Sequence, residues 1–582
     1  MTATITPARV GARPGEKLPL PSRNALTAAA LLLALLGVAL WSLSGVGLSW
    51  QQVTRGIEYA GSFLARAVPF VWPTLPEILW LSALTLAIVF CGTAMAAILS
   101  IPVAYLAARN TTPTRWGGAL GRFLGVATRA APDAIMAMIF AMVIGQGALA
   151  GVLALGIHSV GMISKLTADA IEQVPEGPRL ALRAAGATKS QEFWGAVWPQ
   201  VLPAFIAIVL HRADINLRVS VILGFVGVAG LGHQLSIAMQ TLNYREALPF
   251  AIIIFVLCVA FEIVSALIRR FLLGAPVARR TLAHRLVRAL PGGAGAGAGS
   301  GAGEAAGAVG AAAEGNSFGR AAFAGRVPWT ADRLKSSALL WGTATLLGAS
   351  IALAATQESS FANFWKNLGI AASRLWPPSL PPAKWEATAI ALTETVQIAF
   401  AATLLALAGS LILGVFSARN VAPSPAVRGA SRFLLVVIRG LPELLLALFF
   451  IILTGLGPGA AVLALAIGGV GLLGKLFADS IEEVDRGPER ALHAVGATRT
   501  QVFTAATFPQ ATPALVGHTL YLLDTNIRSA TVLGIVGGGG IGYMLSSAAR
   551  INQHELLALL LCVLVIVFAV EGLASWIRRL IA

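Results

Sequence analysis

The chain has 582 residues, of which 57% are hydrophobic and 12% charged, with mean hydropathy +0.79; that balance excludes an ordinary water-soluble protein. The formal net charge of +16 would suggest nucleic acid in a soluble chain. Here Lys and Arg gather at the flanks of apolar runs, where the positive-inside rule accounts for them, so membrane lipid is the expected surrounding and no nucleic acid is expected.

In chain order, residues 1–24 form a tail in which Arg9, Arg13, Lys17 and Arg23 outnumber Glu16. The apolar run that follows is long enough to span and has no small-residue cleavage site, so it predicts a retained first helix with a cytoplasmic N-terminus. A spanning helix needs about 20 apolar residues. In the first half such runs fall at 25–47, 77–106, 123–144, 148–164, 201–228 and 248–269. Arg109, Arg115 and Arg122 put the loop before the third span in the cytoplasm. The polar loop at 165–200 and the exit at Arg269 and Arg270 then share that side.

Residues 271–335 form a linker. Arg279, Arg280, Arg285 and Arg288 lead into a Gly/Ala stretch with no side chains to bury, expected to be a flexible cytoplasmic tether. The second half repeats the pattern at 338–356, 387–416, 433–454, 459–475, 513–536 and 556–577 and ends with Arg578 and Arg579. The expected fold is an all-α polytopic membrane protein of about twelve transmembrane helices, in two parallel six-helix repeats, 25–270 and 336–582. Because both halves enter from one side, the axis relating them runs along the membrane normal. Cys91, Cys258 and Cys562 lie in apolar runs without metal-ligand spacing and read as packing residues. No metal site is expected.

The 68-residue stretch Lys165 to Gly232 recurs without a gap at Lys475 to Gly542. Each copy begins acidic, with Asp169 and Glu172, or Asp479, Glu482 and Glu483. Gly177-Pro178 or Gly487-Pro488 then breaks the helix. A short helix ends at Gly186-Ala187-Thr188 or Gly496-Ala497-Thr498, and Pro199 or Pro509 marks the start of the next span. Helix, glycine turn, helix makes a knob able to enter a groove on a partner.

Polar residues also stand inside the spans, where charge is expensive and marks a transport path or an ion pair. Asp214, Asn216 and Arg218 recur as Asp524, Asn526 and Arg528. Asp and Arg four apart on one helix face can neutralise each other. Alternatively, Arg218 and Arg528 face the shared axis and offer a planar cationic fork to an anion, with Asn216 and Asn526 as hydrogen-bonders. Arg129 and Arg439 each precede by three residues a proline that bends the helix, and by four an acid, Asp133 or Glu443, with which each can pair; they read as gate or packing residues. Two nucleotide-like patterns fail. Leu476 stands where the phosphate-loop run at Gly469 to Lys475 needs Ser or Thr, and Gly537-x-Gly539-x-x-Gly542 follows a membrane span, not a strand.

The Gly followed thirteen residues later by Pro, at 186 to 199 and 496 to 509, resembles the cytoplasmic loop of ABC-importer permeases, whose short helix docks on the ATPase. Asn216-x-Arg218 leading to VILGFVGVAGLG, and Asn526-x-Arg528 leading to TVLGIVGGGGIG, resemble the phosphonate-transporter permease family. Arg129-Ala-Ala-Pro132-Asp133, Arg439-Gly-Leu-Pro442-Glu443 and the Ala-Arg-Asn at 108–110 and 418–420 fit it too. One departure is that Leu180 and Arg490 stand where that loop motif has glutamate. Two copies fused in one chain also differ from the family's usual homodimer.

The resemblance implies a non-catalytic permease in a bacterial inner membrane. Two ATPase subunits would dock on the cytoplasmic knobs and carry ATP and Mg themselves. A solute-binding protein outside would deliver phosphonate or a related phosphorus oxyanion such as phosphite or phosphate. The rival expectations are an importer for another small solute such as methionine, an ion-coupled secondary transporter, and a passive channel.

Overall fold

The computed structural model describes residues 23–47, 68–130, 132–273, 331–356 and 364–581, together with Thr54, Gly61 and Ala65. Most of the 1–24 tail and of the 271–335 linker lies outside the described residues. Among the described residues every regular element is helical.

All twelve expected spans are helices, but not of one kind. Eight are single helices long and apolar enough to cross a membrane, from Arg23–Gly45 to Gln553–Ile581. Two more, Ala331–Ala355 and the helix over 499–535, are shorter in apolar length or more polar. The third span of each half is broken more sharply than the bend expected at its proline. Arg115–Arg129 meets Asp133–Ile144 at 85°, and Pro425–Gly440 meets Glu443–Thr454 at 88°. Pro132 and Pro442 are the cause. Each lacks an N–H, its ring collides with the carbonyl four residues back, and the residue before it is driven out of helical geometry. The helix therefore stops, and a new one starts with Pro132 or Pro442 as its cap.

For the functional argument five helices of each half need labels. In the first half α1 is Arg23–Gly45, α2 is Leu75–Ala107, α3 is Ala148–Glu172, α4 is Lys189–Gly224 and α5 is Tyr244–Leu273. In the second half α6 is Ala331–Ala355, α7 is Trp385–Ser417, α8 is Pro458–Glu482, α9 covers 499–535 and α10 is Gln553–Ile581. The cores of the halves are the tight pairs α2 with α3 and α7 with α8, against which α4 and α9 pack.

The first helix of each half crosses to the other half. α1 lies on α7 and α10, where Ala39 packs with Phe400 and Leu523, and Leu31 and Leu32 with Leu520 and Ala574. α6 lies on α2 and α3 in return. An apolar helix in lipid has no hydrophobic reason to prefer its own repeat, so contact shape decides. The halves are thereby clasped.

The glycine-rich runs after α4 and α9 are tight turns into short helices, Leu231–Gln240 and Ile541–Ile551. A Cβ on Gly542 would stand 2.0 Å from the Thr531 carbonyl oxygen, so the backbones approach closer than any side chain allows. Thr85 of α2 and Thr395 of α7 accept hydrogen bonds from the Leu231 and Ile541 amides at 3.0 and 2.8 Å, fixing where each short helix starts.

Candidate functional site

The duplicated polar loops form two knobs at one end of the molecule. Glu172 at the end of α3 accepts a hydrogen bond from the Arg109 amide at 2.8 Å, and Glu482 one from the Arg419 amide at 2.5 Å. Asn110 and Asn420 donate to the carbonyls of Ile171 and Ile481 at 2.7 and 2.9 Å. The Ala-Arg-Asn segments thus tie the end of α2 or α7 to the base of its knob, satisfying helix-end groups that would otherwise lack partners.

Beyond the break run the short helices Gly177–Ala184 and Arg486–Ala494, neither with a buried residue; Gly177-Pro178 and Gly487-Pro488 lie in their first turns and start these helices where the sequence suggested they end the preceding ones. Each ends in a left-handed glycine, Gly186 at φ +84° and Gly496 at φ +85°. The Ala187 and Ala497 amides donate back to Leu182 and Leu492, closing the turn. Thr188 and Thr498 then cap the next helix in reciprocal boxes with Gln191 and Gln501. A wide turn over Phe193–Val197 or Phe503–Thr507 precedes Pro199 and Pro509, which sit in the first turn of the following helix where no N–H is required. The thirteen-residue spacing is therefore one whole backbone device. Leu180 and Arg490 both lie exposed on it.

The knobs differ in their bracing. In the first, Arg183 donates to both Glu192 oxygens at 2.8 and 2.9 Å. That hydrogen bond and charge push the Arg183 guanidinium further above its ordinary pKa. His493 and Val502 hold the equivalent positions in the second knob. There Glu489 accepts from Thr507 at 2.6 Å and Asn420 at 3.2 Å instead. The short sequence separation of Arg183 and Glu192 was the available signal for the first brace.

The charges inside the spans are paired, but not alike in the two halves. Asp524 and Arg528 pair along their own helix at 2.7 Å. Asp214 instead accepts from Ser265 and Arg269 of α5 at 3.3 and 3.4 Å, while Arg218 reaches Glu262 of α5 at 3.8 Å. α10 has Gly572 where α5 has Glu262, and Arg528 pairs with Asp524 on its own helix. Asn216 and Asn526 are buried and donate to Thr93 and Thr403, each at 2.9 Å, binding α4 to α2 and α9 to α7. Arg212 extends this layer through Ser159 at 2.8 Å.

Arg129 does not meet Asp133. It forms an ion pair with Glu571 of α10, across the two halves. Gly440, beside Arg439, stands opposite Glu262 of α5, the reciprocal crossing. Glu443 packs beside Gly468. Glu262 and Glu571 escaped the sequence reading; each is a lone acid within an apolar run, and that expense was the signal to follow.

Residues 100–273 and 410–582 match the family described as binding-protein-dependent transport system inner membrane component. A phosphate-import permease protein of Mycolicibacterium smegmatis is 37% identical over 542 residues, 93% of this chain and 92% of that protein. A phosphite transport system permease protein of Stutzerimonas stutzeri is 42% identical over 32% of this chain and 68% of its own length. Among solved structures, the inward-facing MetNI methionine ABC transporter is 20% identical, with a TM-score of 0.33, over 35% of this chain and the whole of that one.

Proposed function

Because the chain belongs to the family of binding-protein-dependent transport system inner membrane components, we propose that it forms the translocation path of an ATP-driven importer for phosphate, phosphite or phosphonate. A multi-pass membrane protein of this family works with ATPase and solute-binding partners. The proposal adds their places. One ATPase docks on each knob, at 165–200 and 475–510, and carries the ATP and Mg; the chain itself performs no catalysis. The knobs and both termini face the cytoplasm, and the solute-binding protein delivers its anion at the opposite face. Closure of the ATPases moves the knobs, and the tie from each knob through Glu172 or Glu482 to α2 or α7 passes that motion to the two halves, alternating access.

The observation that carries the substrate class is the 37% identity to a phosphate-import permease along both halves, which a resemblance in one repeat alone would not supply. The test is uptake into proteoliposomes holding this chain with the ATPase and binding protein encoded beside it. Phosphate, phosphite, methylphosphonate and methionine are offered in turn, with and without ATP. ATP-dependent uptake of one of the three phosphorus anions is expected. Uptake of methionine alone refutes the substrate class, and uptake independent of ATP and of the ATPase refutes the mechanism.

A further inference from the structure

The arginines that the sequence singles out for an anion are both neutralised. Arg218 has Glu262 and Arg528 has Asp524. An anion crossing the molecule must meet positive charge that is not already balanced, and that charge lies elsewhere. At the face opposite the knobs a cavity of about 480 Å³ opens between the halves. Its polar walls are Gln146, His233, Ser236 and Gln240 from the first half and Ser546 and Arg550 from the second. No carboxylate lines it.

Two observations place this cavity on the path. Its walls include one face of Leu231–Gln240 and the matching face of Ile541–Ile551. Ser236 and Ser546, and Gln240 and Arg550, are equivalent positions in the two repeats, so the same short helix of each half borders the cavity, while most of the lining comes from the first half. Its floor is apolar, formed by Met138, Ala141 and Met142 of the helix Asp133–Ile144, which leads from the cavity back toward the bend at Pro132. Gln240 donates to Ser236 at 2.9 Å, and His233 Nδ1 contacts the Gly224 carbonyl at 3.2 Å, so two walls are held in position. Arg550 is exposed and makes no hydrogen bond or ion pair among the described residues. It is the one fixed positive charge in the lining, in a cleft whose apolar walls concentrate its field.

We infer that Arg550 is the first contact the path offers an oxyanion at its outer end, with Gln146 and Gln240 as neutral hydrogen-bonding walls. The inference rests on the phosphorus-oxyanion reading above and names the residue that serves it. A guanidinium fork suits a tetrahedral oxyanion because two of its N–H groups can bind two oxygens at once. A single cation, without a second to complete a clamp, holds such an anion weakly enough to let it pass inward, which conduction requires. The second repeat supplies the charge and the first supplies Gln240 at the same place, so the site is built from one half's divergence.

The experiment uses the full complex in proteoliposomes, with uptake of inorganic phosphate, phosphite and methylphosphonate followed over a range of concentration. Arg550→Gln makes the two repeats alike. It is expected to raise KM for the transported anion about tenfold, the scale of one charge-assisted hydrogen bond, at equal amounts of assembled complex. Moving the charge across the axis, with Gln240→Arg in the Arg550→Gln background, is expected to recover most of that loss. An unchanged KM in Arg550→Gln overturns the assignment. So does failure of the relocated arginine to restore uptake where Arg550→Gln has also lost stimulation of ATP hydrolysis by the binding protein, because Arg550 is then a docking contact for that protein. If the unaltered complex takes up none of the three anions, the substrate reading fails and the inference falls with it. If it takes one up and Arg550→Gln does so equally well, only Arg550 is displaced.

Discussion

The two knobs and the two intramembrane charge layers are drawn from the same repeated stretches, yet they behave oppositely. In the knobs the backbone is duplicated nearly bond for bond: the same left-handed glycine, the same capping box, the same amide on the same glutamate. In the charge layers matching residues choose different partners, because Glu262 corresponds to Gly572 and Glu571 to Phe261 in the repeat. A knob that serves a partner must keep its shape. A path enclosed by both halves is under no such demand for equality, since one passing solute meets both sides at once. Fusion into a single chain permits that division of labour, because each half is specified separately.

The largest effect should come from the shared device. In Gly186→Val with Gly496→Val no atom lies within 4 Å of the added Cβ, so crowding is not the cost. The cost is a β-branched residue at positive φ, roughly 1–3 kcal/mol at each turn, enough to unwind a short exposed helix. ATPase co-purification and ATP-dependent uptake are both expected to be lost in the double variant. The single variants should resemble each other if the knobs are equivalent. Full retention of both in the double variant would refute docking at these loops.

The charge layers should break unequally. Arg528→Gln strands Asp524, whose side chain is 14% exposed, and should destabilise the protein by roughly 3 kcal/mol, the cost of one unpaired buried charge. Arg218→Gln removes only a 3.8 Å contact to Glu262 and should cost less than Arg528→Gln. Denaturant unfolding in detergent measures the difference, and equal losses would contradict the asymmetric pairing. Neutralising each pair as the structure forms it, by Arg218→Gln with Glu262→Gln and Asp524→Asn with Arg528→Gln, removes charge without stranding any. If that protein folds and transports normally, Arg218 and Arg528 are structural; if it folds and does not transport, they serve the anion as well.

The same contrast explains what the sequence made legible. The knobs could be read because Gly186, Thr188 and Pro199 act through their own backbone within a few residues, where sequence distance is physical distance. The partners of Asp214 and Arg218 could not. The four-residue spacing is identical in both halves, and the outcome turns on Glu262, some 44 positions away and brought near only by packing. The breaks at Pro132 and Pro442 were visible as bends, but not in their size, which depends on each proline capping a new helix. The exchange of α1 and α6 left no trace in composition, since lipid and protein are equally apolar neighbours for such helices.

A smaller and local effect separates the knobs. Glu192→Gln weakens the bidentate brace to Arg183, which the second knob lacks. Amide exchange over 177–187 should quicken severalfold while 487–497 is unchanged, and the unaltered first knob should exchange more slowly than the second. Unchanged exchange over 177–187 in Glu192→Gln would show that the brace adds nothing.

The smallest effect is expected where the halves are joined. Cutting the chain between residues 291 and 315 and co-expressing the pieces is expected to remove a tether and nothing else, because that stretch is almost wholly Gly and Ala. What binds the halves is the exchange of α1 and α6, the Arg129 to Glu571 ion pair and the contact of α5 with Pro425–Gly440. A tether contributes by raising effective concentration, and two pieces confined to one membrane already meet without it. Uptake by the split protein should therefore stay close to that of the intact chain, and each piece should co-purify with the other. Deleting α1 from the first piece then sharpens the comparison, since it removes the clasp on α7 and α10 while leaving every residue of both knobs. Co-purification should fall in that variant alone. If the split protein with α1 intact fails to assemble, the exchanged helices do not carry the union of the halves, and the tether does.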